Sequence, residues 1–386
     1  MSLLSASLRT HFACLPEPRR RQVRKHPLIN ILFISLCALL SGADTFTDIA
    51  RWAVNHQDWL KERIDIKQGL PSHDTIGRVF ALLDTDAFSD CFNGWIKNLT
   101  TLPATSEHKQ VCLDGKTIKA SFDTATGQKA IHLVRAFASE QRIVLDQEKV
   151  TEKSNEITAI PALLCRLDLT GCLVSADAMG CQKKIAEQII EQRGDYLLSL
   201  KENHRSLYER ACENIADWRE KAWQIPFSVL RWQSVEKYRG AVETRRCYLV
   251  ESADFLDTEK QWRGLWGVAL VEREIRRGKT STVSQRMYLT SLRDAAKVLQ
   301  GCRRHWGIEN AVHWVLDVVF LEDACRVRKD NAGVNLSVLR QVCLSLLRQE
   351  TNSGLSLRAK RKEASWNVNY LETLLATNQQ SMTICD

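Results

Sequence analysis

From Gln110 to Leu200 the apolar residues come in short runs whose order admits few folds. Val111-Cys112-Leu113, the run from Ile131 to Phe137 and the run from Arg142 to Leu145 are each bounded by polar or glycine-containing turns, the pattern of three successive strands. A helical stretch from about Glu156 to Leu167 follows, then a strand from Gly171 to Ala176, a helix from about Cys181 to Arg193 and a strand from Asp195 to Leu200. Three strands followed by helix, strand, helix and strand predict a mixed α/β sheet covered by helices.

Upstream, residues 1–105 read as a helical domain. Phe46, Ile49, Trp52, Ala53 and Leu60 recur near helical spacing. Gly69-Leu70-Pro71-Ser72 breaks the chain, and Ser72 or Asp74 caps the helix that resumes at Thr75. The polar stretch from Pro103 to Lys109 separates this unit from residues 106–225, which begin the sheet. Residues 226–293 turn β-like again, as an antiparallel insertion with strands at Thr244 to Val250 and Gly267 to Val271. A hairpin turn at Arg276-Arg277-Gly278-Lys279 precedes a further strand at Ser284 to Thr290. Residues 294–386 read as a long helical stretch through Leu347 with a basic segment, Arg358-Ala359-Lys360-Arg361-Lys362, after it.

With 386 residues the chain exceeds one small module, and 44% hydrophobic against 26% charged residues is globular composition rather than that of a disordered chain. Its net charge of +8 favours an anionic partner such as nucleic acid. The 13 cysteines are odd in number and none forms a C-x-x-C pair, which points to free thiols in a reducing cytoplasm rather than a disulfide framework or zinc ribbon. Leu28 to Ala43 imitates a secretory leader, since a basic arm, Arg19 to Lys25, precedes it. The run is shorter than the ~20 residues of a membrane span and flows into an amphipathic helix, so it reads as a buried core helix in a protein without a membrane partner.

Two acids stand where chemistry is easily built. Asp114 follows the strand Val111-Cys112-Leu113, with Gly115 freeing the backbone behind it, and Asp177 occupies the matching place after Leu173-Val174-Ser175-Ala176. Carboxylates at the ends of neighbouring strands suit Mg²⁺, which takes oxygen ligands and keeps positions open for phosphate. A third acid, Glu309, lies in Arg303-Arg304-His305-Trp306-Gly307-Ile308-Glu309-Asn310, an acid amid bases that suits a metal ligand flanked by phosphate-binding groups.

These strings are recognisable. Glu17-Pro18-Arg19-Arg20-Arg21, Pro71-Ser72-His73-Asp74-Thr75, Leu113-Asp114-Gly115-Lys116-Thr117, Glu152-Lys153-Ser154-Asn155-Glu156-Ile157, Asp177-Ala178-Met179-Gly180-Cys181-Gln182, His305-Trp306-Gly307-Ile308-Glu309-Asn310 and Leu316-Asp317-Val318 together resemble the H-repeat-associated branch of the bacterial insertion-sequence DDE transposases. The resemblance runs from about Cys14 to Leu371. It implies an RNase H-like catalytic domain interrupted by a β-rich insertion, a helical N-terminal domain, and Asp114, Asp177 and Glu309 as catalytic, metal-binding acids. It departs from the wider group at His305 and Leu316, where that group has Arg and Lys.

What the resemblance implies is a transposase that uses Mg²⁺, with Mn²⁺ able to substitute, to cut phosphodiesters at the element ends and transfer the freed strands into target DNA. Its partners are double-stranded DNA, with terminal inverted repeats and target, and a second copy of the chain on that DNA; its place is the bacterial cytoplasm, at the nucleoid. Lys116, Lys201, Asn203, Arg303, Arg304 and His305 are candidate phosphate contacts, joined by Arg19, Arg20 and Arg21 of the basic arm and by the basic segment near the C-terminus. A catalytically silent DNA-binding descendant and a nuclease without strand transfer are the alternatives. The stretch from Glu152 to Glu156 reads as a loop and helix cap, and Asp317, Glu322 and Asp323 as either further site acids or a surface turn with Arg326, Arg328 and Lys329.

Overall fold

A nine-stranded mixed sheet organises the chain, and the computed structural model describes residues 10–99, 109–150, 155–220, 228–238, 240–251 and 253–376. Most of the polar stretch from Pro103 to Lys109 and the segment Glu152 to Ser154 lie outside the described residues.

The N-terminal unit is helical: α1 (Leu28–Leu40), α2 (Phe46–Asn55), α3 (Gln57–Lys61), α4 (His73–Leu82) and α5 (Thr85–Leu99). The apolar run forms α1, whose residues from Asn30 to Leu40 are all buried, as its all-round hydrophobicity requires. Thr45 and Asp48 close a capping box on α2, and Ser72 caps α4 by accepting from Thr75 N. No helix among the described residues is long and apolar enough to cross a membrane.

The sheet begins with β1 (Gln110–Thr117), β2 (His132–Ala138) and β3 (Ile143–Val150), then α6 (Glu156–Cys165), β4 (Leu173–Ala176), α7 (Lys183–Glu191) and β5 (Asp195–Leu200). After α8 (Arg205–Glu220) come β6 (Val229–Tyr238), β7 (Ala241–Glu251), the short α9 (Ala253–Leu256), β8 (Gly267–Arg277) and β9 (Thr280–Thr290). Spatial order is β3-β2-β1-β4-β5-β9-β8-β7-β6. β1 runs antiparallel to β2 but parallel to β4, and β4 parallel to β5. The β-rich insertion is no separate body: Leu197↔Thr290 through Leu200↔Met287 pair β5 with β9, so its four strands extend the same sheet.

Both faces of the central strands are covered, which is why they read as apolar runs. Val111 and Leu113 face a core with Ile160 and Leu163 of α6 and Ile185 and Ile189 of α7. Cys112, pointing the other way along the pleat, joins the N-terminal helices in the largest core. That same core takes in the C-terminal helices, so the two ends of the chain are packed together.

Beyond β9 the expected long helix is broken. α10 (Ala295–His305) leads to a π-helical turn at Glu309–His313, α11 (Trp314–Val319) and, after a loop, α12 (Ala332–Gln349), α13 (Leu357–Trp366) and α14 (Val368–Ala376). The chain leaves α11 through Leu321, in the left-handed region at φ +50°, which turns Glu322 inward. Glu322 and Arg135 of β2 are both fully buried: Arg135 Nη2 donates to Glu322 Oε1 and Oε2 at 2.9 and 2.7 Å and to Ser337 Oγ at 3.0 Å. Glu322 is thus neither a surface-turn residue nor a site acid.

The basic segment near the C-terminus also differs from its surface reading. Within α13, Lys360 Nζ donates to Leu347 O at 2.9 Å near the end of α12, and Arg361 donates to Leu39 O, Ala43 O and Asp44 Oδ1 at 2.9, 2.7 and 2.8 Å past the end of α1. Both cations are buried because helix C-termini present carbonyls without intrahelical partners and a negative dipole end.

Glu322→Gln removes the carboxylate that, among the described residues, is bonded to the buried Arg135, and is expected to cost about 3–5 kcal/mol in urea unfolding. The double replacement Arg135→Met/Glu322→Leu is expected to cost clearly less, because no buried charge is then left alone.

Candidate active site

Parallel pairing of β1 with β4 places two acids side by side. The register ends at Leu113↔Ala176; Asp177 follows the end of β4, whereas Asp114, expected just after the strand, lies within β1 and is still paired with Arg135 of β2, so the two acids come at the same, carboxyl-terminal end of the β1–β4 pairing. Asp177 Oδ1 accepts from Met179 N at 2.9 Å and Gly180 N at 3.3 Å, which fixes its carboxylate at the mouth of the following turn. Asp114 Oδ1 accepts from Gly115 N at 3.0 Å.

Glu309 arrives from the far end of the sequence on the π-helical turn. Four residues apart on this turn, Glu309 and His313 share one face, where His313 Nδ1 lies 3.1 Å from Glu309 Oε2 and 3.5 Å from Asp114 Oδ2. One donor atom from each of Asp114, Glu309 and His313 lies within 4.8 Å of the others. Burial, with Arg135 and Lys116 nearby, pushes His313 down to about 2, so its imidazole is neutral, with Nδ1 the ring nitrogen that faces the carboxylates.

The acids repel one another. Burial, then Asp177, Glu156 and Glu309, push Asp114 up to about 7. Burial, then Glu156, raises Asp177, while backbone donors and Lys201 pull the other way. Carboxylate oxygens crowded at a fixed edge, with too little positive charge to balance them, form a donor set that fits a hard divalent cation.

They open into a cleft of about 860 Å³ whose walls include Lys201, Asn203, Arg286, His305 and Trp306. Arg286 of β9 stacks over the half-exposed ring of Trp306 at 4.4 Å. The residues expected to grip phosphate divide sharply. Lys201 is exposed in the cleft, and Asn203 lines it while donating to Ala178 O at 2.6 Å. Lys116 is instead held by Asp317 and Asp323 at 2.5 and 3.2 Å, which also accounts for those two acids. Arg303 pairs with Glu236 at 2.5 Å and Arg304 with Glu140 at 2.6 Å. His305 bonds Ser175 Oγ at 3.0 Å, and burial beside Arg286 pushes it down to about 4, so it offers no positive charge at neutral pH. Leu316 is fully buried. Arg19 is buried against Glu17 and His26 O, whereas Arg20 and Arg21 are exposed.

Four residues at the site went unread in the sequence: Glu156, His132, His313 and Arg286. Glu156 opens α6, and its Oε1 lies 2.7 Å from His132 Nε2. Glu156 looked like a helix-capping acid and Arg286 like a strand residue of an insertion; His313 carried one usable signal, its place four residues after Glu309.

Comparison with known families agrees with this architecture. Residues 105–346 match the family described as Transposase DDE domain, and residues 9–96 match the one described as DDE_Tnp_1-associated. The chain therefore belongs to the DDE transposase family. Within it the chain falls in the H repeat-associated branch. It is 38% identical over 380 residues to "Putative transposase YncI" of Escherichia coli O157:H7, covering 96% of this chain and 95% of that one. It is 34% identical over 383 residues to "H repeat-associated putative transposase YhhI" of Escherichia coli strain K12, covering 96% and 97%. A shorter relative, "Inactive transposase YbfQ" of strain K12, is 39% identical over 72 residues, 19% of this chain and 86% of its own.

The electrostatics make a prediction for metal-free protein. Native Asp114 keeps its proton to about pH 7, whereas the ordinary carboxyl value is 3.8, so ionising it costs stability progressively as pH rises through that window. Asp114→Asn is expected to raise the melting stability of chelator-treated protein by on the order of 1–3 kcal/mol at pH 8 and to change it little at pH 4.

Proposed function

We propose that this chain is a DNA transposase that cuts phosphodiesters at the ends of its element and joins the freed 3′ ends to target DNA. Its RNase H-like sheet supplies Asp114 and Asp177, and the chain beyond the β-rich extension supplies Glu309. The observation that carries the reading is the convergence of these acids, distant in sequence, at one end of the sheet in a cleft with Lys201 and Arg286.

Asp114, Asp177 and Glu309 would hold Mg²⁺, or Mn²⁺ in its place. Bound there, such a cation would supply Lewis-acid activation of water and charge stabilisation for a 3′ oxygen leaving group. The chain's own groups do the rest. Backbone donors at Met179 and Gly180 fix Asp177, and His313 Nδ1 holds Glu309 toward Asp114, so the carboxylates need no reordering when substrate arrives. Lys201 and Arg286 bind non-bridging phosphate oxygens and align the scissile bond for in-line attack. Once cut, the 3′ hydroxyl remains in the same cleft and serves as the next nucleophile, so no covalent protein–DNA intermediate is required.

The helical N-terminal domain, with Arg20 and Arg21 exposed, contributes DNA contacts along the duplex. The working form is a dimer that pairs two terminal inverted repeats in the bacterial cytoplasm, at the nucleoid.

The test is incubation with Mg²⁺ or Mn²⁺ on a supercoiled plasmid carrying the DNA that flanks the gene. Cuts at the element ends followed by joined products support transposition; cuts alone indicate a nuclease, and binding without cuts a silent descendant. Asp114→Asn, Asp177→Asn and Glu309→Gln are each expected to bind this DNA within about twofold of wild type while losing cleavage by more than about 10²-fold. Arg286→Ala is expected to weaken DNA binding and lower the salt-dependence slope by about 1.

A further inference from the structure

A short segment before the basic arm lies on α5. Phe12 is buried, with its ring edge-on to Phe92 at 4.5 Å and to Phe88 at 6.4 Å between centroids. Leu15 is buried in the same core. Phe88, Cys91 and Phe92 stand three and four residues apart on α5 and so share one face of that helix. The segment that Phe12 anchors to this face carries Cys14 onto Cys91, and their Sγ atoms lie 3.7 Å apart.

Both thiols are free, and their surroundings differ. Cys14 is exposed in a turn, where its Sγ donates to His11 O at 3.4 Å, whereas Cys91 is buried. Burial, then the Cys14 thiol itself, push Cys91 up to about 12, so Cys14 is the thiol that a dissolved oxidant meets first. A disulfide needs its sulfurs at about 2.05 Å. Closing the remaining gap asks for movement of the exposed turn, while the buried helix face stays where it is.

We propose that Cys14 and Cys91 form a reversible thiol–disulfide pair, oxidised by a peroxide, that fastens the segment before the basic arm covalently to α5. The Cys14 thiolate attacks the peroxide and becomes a sulfenic acid, with release of hydroxide. The Cys91 sulfur then bonds to the Cys14 sulfur, and its proton leaves with the sulfenic hydroxyl as water. In sum, two thiols and one hydrogen peroxide give one disulfide and two waters, and a dithiol reductant reverses the change by being oxidised itself. The bond joins residues 77 apart in sequence and encloses the basic arm and α1 to α4, a loop long enough to restrict the unfolded chain strongly. Neither cysteine lines the acidic cleft, so the inference stands apart from the reading of that site.

The test treats full-length protein with hydrogen peroxide, blocks the remaining thiols by alkylation and digests it with trypsin in the absence of reductant. Peptides 10–19 and 79–97 each hold one cysteine, and they are expected as a linked pair that disappears with dithiothreitol and never forms in Cys14→Ser. The link should form at least about tenfold faster in native protein than in urea, because only the fold holds the two thiols together. Oxidised wild type should unfold at a higher urea concentration than reduced wild type, whereas Cys14→Ser treated alike should show no rise. Cys14 recovered as a sulfinic acid, or joined to a second copy of the chain, with Cys91 still free would overturn the proposal. A link that forms no faster in folded than in unfolded protein would overturn it as well.

Discussion

Parallel pairing of β1 with β4 is the contact on which the rest depends. It sets Asp114 and Asp177 at the same end of the two strands, where burial and neighbouring carboxylates hold both carboxyls above their ordinary range. Such an arrangement persists only if the strands cannot move apart. The covering of both sheet faces supplies that rigidity, with α6 and α7 on one side and the N-terminal and C-terminal helices on the other.

Several of the basic residues of this protein are held by partners within the fold. Arg135 balances Glu322, Lys116 bridges Asp317 and Asp323, Arg361 and Lys360 satisfy helix C-termini, and Arg19 is folded onto Glu17. A net charge of +8 is thus a poor map of where an anionic partner would lie. The cations that line the cleft, Lys201 and Arg286, come from places that no basic cluster in the sequence marks.

The β-rich extension matters through its last strand. By pairing with β5, β9 carries Arg286 to the cleft, where it stacks on Trp306 three residues before Glu309. The extension and the final acid are coupled in this way, and the π-helical turn completes the coupling by setting Glu309 and His313 on one face.

Local pattern was enough to read the strands β1 to β5, the buried character of α1, the Ser72 cap and the place of Asp177 after β4, because burial on both faces and turn chemistry leave their mark on neighbouring residues. The motif strings carried the family. What the sequence by itself determined, then, is that family and the order of strands and helices from β1 to β5. The tertiary structure alone decided which charges are free. Lys116, Arg303 and Arg304 look identical to usable phosphate contacts until their partners, Asp317, Glu236 and Glu140, fold in from far along the chain. Glu156 likewise reads as a helix cap until the sheet lays it across Gly115, since whether an ionic group is paired, buried or aimed at a site is set by long-range packing that no local spacing encodes.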